Sequence, residues 1–187
     1  LGTEQHGAMR AVGLELYQAM LCDAIRHLRR GESHGSQNAP IEEELPPFSV
    51  PIDAYIPDTY IADTAQRLGY YKRIAGSRSH EELRALVREL RDRYGPLPQP
   101  LKNLLKVMEL RLHAHVLGVA SVQYENGTLT LRFQPDRRLK ARWQLHLIEQ
   151  IKGIRTQPEE VSLRTPRAPL DALALVLTVL KEAIEAG

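Results

Sequence analysis

Val119-Ala120-Ser121-Val122-Gln123-Tyr124-Glu125-Asn126-Gly127-Thr128-Leu129-Thr130-Leu131-Arg132-Phe133 is the stretch on which the fold turns. Two short runs, Val119 to Tyr124 and Leu129 to Phe133, flank Glu125-Asn126-Gly127. Asn-Gly between such runs is the strongest short-range hairpin signal, because both residues tolerate the positive φ that a tight turn needs. Most of the chain around it has helical period, so the hairpin brings antiparallel strands into a largely helical protein. Helical runs that alternate irregularly with short strands argue for an α+β fold, mostly helical with a small antiparallel sheet, over a doubly wound parallel sheet.

Upstream of the hairpin, a helix is predicted from Gln99-Pro100 to Gly118, with Leu101, Leu104, Leu105, Met108, Leu112 and Val116 as its apolar stripe. Another precedes it. Ser79-His80-Glu81-Glu82 reads as a capping box: the Ser79 hydroxyl accepts from the backbone N–H three residues on, and Glu82 reaches back. That helix runs to Tyr94 and stops at Gly95-Pro96. Residues 64–76 form a helix carrying Leu68, Tyr71 and Ile74. Phe48-Ser49-Val50-Pro51-Ile52 alternates like a strand, and its proline makes it an edge. Downstream, residues 138–151 are predicted helical with Trp143, Leu147 and Ile151 inward. Val161-Ser162-Leu163 is a weak strand. Residues 169–185 close the chain with Leu170, Leu173, Leu177, Leu180 and Ile184 in one stripe.

Further out, the pattern marks a boundary. Residues 32–47 contain a nearly apolar-free stretch, the run Glu42-Glu43-Glu44 and the pair Pro46-Pro47. Such a segment buries too little surface to offset its ordering entropy, so it reads as a flexible linker. Before it, residues 14–30 form a separate helix, with Leu14, Tyr17, Leu21, Ala24, Ile25 and Leu28 on one face and Arg26, Arg29 and Arg30 in the last turn. The expected organisation is therefore 1–31, 32–47 as linker, and 48–187 as a folded domain. An apolar fraction of 43% supports a core, which aromatics at only 5% leave mostly to Leu, Val, Ile and Ala. The single cysteine, Cys22, cannot form an internal disulfide and reads as a buried thiol in a cytoplasmic, reducing setting. No run approaches the length of a membrane span, and residues 1–12 do not read as a signal peptide.

The motifs of catalysis are missing. There is no phosphate-binding loop and no G-x-S-x-G, so neither ATP binding nor hydrolase chemistry is expected of this chain. His113 and His115 are two apart on a helix and point to different faces, and His27 and His34 straddle a helix end, so no metal site is expected. Two basic clusters remain, against a net charge of only +2. Arg84, Arg88, Arg91 and Arg93 interleave with Glu81, Glu82, Glu89 and Asp92, which reads as a solvated, salt-bridged face, with recognition of a charged partner surface as the alternative. Arg132, Arg137, Arg138, Lys140 and Arg142 face only Asp136; this patch at 132–142 reads as plain surface, with a stand-alone nucleic-acid-binding module as the alternative function.

Three segments carry a resemblance. Leu1-Gly2-Thr3-Glu4-Gln5-His6-Gly7 resembles the end of the translocation motif that follows the helicase core of bacterial transcription-repair coupling factors, related to that of RecG. Asp58-Thr59-Tyr60-Ile61-Ala62-Asp63 through Arg67-Leu68-Gly69-Tyr70-Tyr71-Lys72-Arg73-Ile74-Ala75 is similar to a second family segment, and Glu89-Leu90-Arg91-Asp92-Arg93-Tyr94-Gly95-Pro96-Leu97-Pro98 to a third. The match is looser over 119–187. The resemblance implies a C-terminal autoinhibitory domain without catalysis of its own. In the family such a domain docks on the UvrB-like N-terminal module of the same protein, masks recruitment of UvrA, and restrains an ATP-dependent DNA translocase. By the same resemblance, Gly2, Gln5 and Gly7 belong to the translocation motif, and partner docking falls to Glu89 with Arg91 and Arg93 beside it. ATP and magnesium would bind motor domains outside this chain, which takes no cofactor. RNA polymerase and duplex DNA would be met through other parts of the protein, and no membrane is involved. His6 departs from the small residue many members carry.

Overall fold

The structure is a computed structural model and describes residues 45–186. The expected helix at 14–30, residues 32–44 of the expected linker, Cys22, His27, His34, and the motif residues Gly2, Gln5 and Gly7 lie outside the described residues.

The chain runs β1 (Phe48–Ser49), α1 (Thr64–Gly76), α2 (His80–Tyr94), α3 (Gln99–Val116), β2 (Val119–Glu125), β3 (Thr128–Phe133), α4 (Ala141–Gln150), β4 (Ile154–Thr156), β5 (Glu160–Arg164) and α5 (Pro169–Glu185). Five strands form one sheet in the order β1-β2-β3-β5-β4, so the fold is α+β. The hairpin is the predicted one. Asn126 and Gly127 both take positive φ, 51° and 76°, and Tyr124 pairs with Leu129 and Val122 with Leu131. Leu129 and Leu131 then sit opposite Leu163 and Val161 of β5. These residues are all buried, while Arg132 on the alternate face is exposed. One face of the sheet therefore carries the core and the other meets water, as the period-2 pattern requires. Helices α3 and α5 cover the buried face, with Leu101, Ala114, Leu173, Val176 and Leu180 fully removed from solvent.

Several expectations change. The sheet is mixed, because β1 pairs with β2 in parallel at Phe48–Val122 and Ser49–Gln123. β1 also spans two residues, not the five of 48–52. Pro51 has no N–H to give a ladder, which confines the strand to the edge. The helix expected at 138–151 begins at Ala141, since Leu139 is drawn into the core and its N–H bonds the carbonyl of Pro158 (2.7 Å). β4 was not expected; its three residues are too few to show alternation. Val116, placed in the apolar stripe of α3, is 72% exposed at the helix end. Leu68 and Trp143 are only half-buried, and the indole N–H of Trp143 finds no acceptor among the described residues.

The residues just before β1 are also tied to the fold. Arg111 of α3 donates to the carbonyls of Pro46 (3.0 Å) and Leu45 (3.2 Å). The N–H of Val122 donates to Pro47 (3.0 Å). Residues 45–47 are thus held against α3 and β2 through backbone carbonyls that composition does not register.

Candidate interaction site on helix α2

Helix α2 carries the charge pattern that the sequence singled out, and its ends explain its position. The Ser79 hydroxyl accepts from the N–H of Glu82 (3.2 Å). Glu82 reaches back to the N–H of Arg78 (2.8 Å), one residue beyond the cap. At the other end, Gly95 takes φ 83° and its N–H bonds Arg91; a residue with a Cβ would be strained there. Between the ends, Leu83, Leu86 and Leu90 anchor the helix to the core. The Tyr60 hydroxyl donates to the carbonyls of Leu90 (2.9 Å) and Gly95 (3.0 Å), so the loop before α1 locks the C-terminal turn.

On the side facing α1, Glu89 is the centre of a clasp. Arg73 of α1 reaches both of its oxygens, Nη1 to Oε1 at 2.9 Å and Nη2 to Oε2 at 2.5 Å. The Tyr70 hydroxyl donates to Oε1 (2.9 Å). Arg93 lies 3.9 Å away, one turn on. A bidentate guanidinium with a phenol as third donor is a strong, directional arrangement for a carboxylate. Arg73 first, then the Tyr70 hydrogen bond, with the charge of Arg93 adding to them, pull the Glu89 carboxyl down to about 2. Burial and the Glu89 hydrogen bond push the Tyr70 phenol up. Behind the clasp, Tyr70 meets Tyr94 edge-on at 5.9 Å and Tyr60 meets Tyr94 at 5.6 Å. The clasp is still reachable from solvent: the side chains of Glu89, Arg73 and Arg93 are 29%, 51% and 64% exposed.

On the opposite side, α2 and α3 flank a groove of about 520 Å³. The two helices run antiparallel, since His80 at the start of α2 packs against His113 at the end of α3 with ring centroids 4.2 Å apart and the rings tilted by 45°. Leu83, Val87 and Leu105 contribute apolar lining, and Arg84, Arg91 and Lys102 add charge. Lys106 also lines the groove but is neutralised by Glu109 (3.0 Å). Burial and the neighbouring His80 hold the His113 imidazole below its ordinary value.

The structure therefore divides the expected docking residues. Glu89 and Arg93 come together. Arg91, two residues from Glu89 and so about 200° around the helix, lines the groove instead. The expected salt-bridged face is not there: within α2 only Arg93 pairs with Glu89, and Arg84, Arg88 and Arg91 have no carboxylate partner among the described residues. Of their acidic neighbours in sequence, Glu82 turns back to the N–H of Arg78 and Glu89 is taken by α1. Sequence reasoning passed over Arg73 and Tyr70, which stand inside a quoted segment but gain meaning only from packing against α2. Lys102 was equally invisible, one of two lysines on α3.

Two of the five cations of the second basic patch have carboxylate partners. Arg132 pairs with Glu160 (3.2 Å) and Arg138 with Glu159 (2.5 Å). Lys140 and Arg142 lie over the Trp143 ring, 4.9 and 5.7 Å from its centroid. Among the described residues no three His, Cys, Asp or Glu side chains come together as metal ligands, and no helix is long and apolar enough to cross a membrane.

Comparisons with known proteins agree with this architecture. The TRCF domain family matches residues 50–144. The transcription-repair-coupling factor of Escherichia coli is 31% identical over 171 residues, covering 89% of this chain and 14% of that protein. That of Haemophilus influenzae is 41% identical over 133 residues, covering 68% of this chain and 11% of that protein. The chain thus spans only 11–14% of the length of these relatives. A crystal structure of the C-terminal domain of a transcription-repair coupling factor superposes with a TM-score of 0.64 at 24% identity, over 74% of this chain and 93% of that one, and so shares the fold. The family match takes in α1, α2 and α3, the helices that build both sides of the site, and this chain belongs to the TRCF domain family.

Proposed function

We propose that this domain is the regulatory, autoinhibitory part of a cytoplasmic transcription-repair coupling factor. It has no catalysis and no cofactor of its own. It docks on the UvrB-like module of the same protein, masks the surface that recruits UvrA, and restrains an ATP-dependent DNA translocase. ATP and magnesium, RNA polymerase and duplex DNA would then be handled by other parts of that protein, with Gly2, Gln5 and Gly7 contributing to coupled movement on DNA.

The observation that carries this reading is the Glu89 clasp. It lies at the solvent edge of α1 and α2, within the segment Glu89-Leu90-Arg91-Asp92-Arg93-Tyr94-Gly95. A regulatory contact must form and break, and a partly exposed ion network suits that better than an apolar interface does. Glu89 acts here through the cluster it organises: it holds Arg73 and Arg93 at the surface in one arrangement, ready for a carboxylate or carbonyl of the partner module. Arg91 belongs to the same helix but not to this contact.

The test is UvrA binding and ATP hydrolysis by the full-length protein. Glu89→Ala should raise both while the domain stays folded. Exchanging the pair, Glu89→Arg with Arg73→Glu, should recover stability without recovering repression. UvrA affinity and ATPase rate that stay at wild-type levels in a folded Glu89→Ala protein would defeat the proposal. The nucleic-acid-binding alternative has less support, because Arg132 and Arg138 already have carboxylate partners.

A further inference from the structure

We infer that the groove between α2 and α3 is a second docking surface, one that takes an acidic amphipathic helix from a protein partner. It stands apart from the Glu89 reading, since it uses the opposite side of α2. Three observations meet there. The first is shape: from His80 to Arg91 the groove follows α2 for about 16 Å, or roughly three helical turns. The flanking helices are antiparallel, so a third helix can lie between them as in ordinary helix packing.

The second is the floor. Leu83, Val87 and Leu105 line it, and Leu83 and Val87 stand one turn apart. Apolar side chains of a ligand helix at i, i+4 and i+7 would follow the same spacing, which is how amphipathic helices seat in grooves. No aromatic side chain other than His80 and His113 lines the groove. Nucleic acid, which needs stacking rings or a broad phosphate track, is matched less well.

The third is charge, and it selects the partner. Arg84, Arg91 and Lys102 are exposed around the apolar floor without a carboxylate of their own among the described residues. Glu109 is the one acid lining the groove, and Lys106 occupies it. Cations set about an apolar strip are complementary to a helix with Asp and Glu flanking its apolar face. They would steer its approach and fix its orientation.

The experiment uses the whole 187-residue chain and three labelled probes. One is a synthetic helix of about 15 residues, roughly 22 Å long, with Leu at i, i+4 and i+7 and Glu or Asp on both flanks. The second is a scrambled peptide of the same composition, and the third is a short DNA duplex. The amphipathic peptide should bind at least about tenfold more tightly than the scrambled one, and weaken as salt rises. NMR shifts should fall on residues 80–91 and 102–113. Arg84→Glu with Lys102→Glu should cost at least about tenfold in affinity, with the far side of α2 unperturbed. Equal affinity for the two peptides would overturn the inference, as would an amphipathic peptide indifferent to the double charge reversal. So would duplex DNA bound more tightly through the same residues, or self-association of the chain that the reversal abolishes.

Discussion

The two sides of α2 are built from the same kinds of residue and come to opposite ends. Towards α1, Arg73 and Arg93 converge on the single carboxylate of Glu89, with Tyr70 completing its hydrogen bonds. Towards α3, Arg84, Arg91 and Lys102 gather around Leu83, Val87 and Leu105 with no carboxylate of their own among the described residues. One side ties two helices together. The other holds like charges near one another, tolerable because water screens them and costly enough to favour an acidic ligand. Alternating charge along a helix therefore does not by itself identify a self-satisfied face. The neighbouring helix decides which charges are consumed inside the domain and which remain for a partner.

Both sides of α2 fail together if the helix loses its anchor. Leu90 is fully buried beneath both sides. Leu90→Ala should destabilise the domain by about 2–5 kcal/mol, read from the urea midpoint, and should disorder clasp and groove together. A loss below about 1 kcal/mol would mean that α2 is not held as a unit.

Next in size is the clasp. Glu89→Ala should lower stability by about 1–2 kcal/mol, because the pair is partly exposed and solvent screens it. Arg73→Ala should cost nearly the same, and the double variant clearly less than both added, which a double-mutant cycle would measure. Additivity would show that the two side chains do not act together.

Acid sharpens the contrast. The Glu89 carboxyl is depressed to about 2 in the folded domain from an ordinary 4.5. The unfolded chain therefore takes up the proton first as pH falls. The stability due to the clasp is fully present above about 4.5, and is lost progressively as pH falls through about 2. Glu89→Gln should flatten the stability profile within that window. Groove variants should leave it unchanged.

The smallest effect belongs to the groove rim. Arg84→Glu with Lys102→Glu should shift stability by no more than about 0.5 kcal/mol in either direction, seen by thermal unfolding. A large loss would show that these side chains support the fold after all.

Much of the fold could be read before the structure. The hairpin followed from Asn126-Gly127, since few other pairs accept two successive positive φ values. The bounds of α1 agreed with the 64–76 expectation. The start of α2 was legible because Ser79 and Glu82 cap within a few residues of one another. What failed was short or distant. β4 has three residues, too few for a period to show, and the edge strand β1 keeps only two of the five residues that alternate at 48–52. The hold of Arg111 on Leu45 and Pro46 spans more than sixty positions through backbone carbonyls, which leave no mark on composition. The candidate site was legible in part: Glu89 and Arg93 were named, while Arg73, Tyr70 and Lys102 were not.

Legible in the residues alone was therefore most of the local layer: which long segments coil, where the hairpin turns, where the capped helices start, and most of each apolar stripe. These follow from backbone sterics, capping and period, all of which act over a few residues. The tertiary structure alone decided the pairings. It set Arg73 against Glu89 across 16 positions, turned Arg91 away from both, and made a groove of two helices that each look ordinary. The physical reason is that an ion pair or a cavity depends on the distance between elements, and that distance is settled by how Leu83, Leu86 and Leu90 seat α2 in the core.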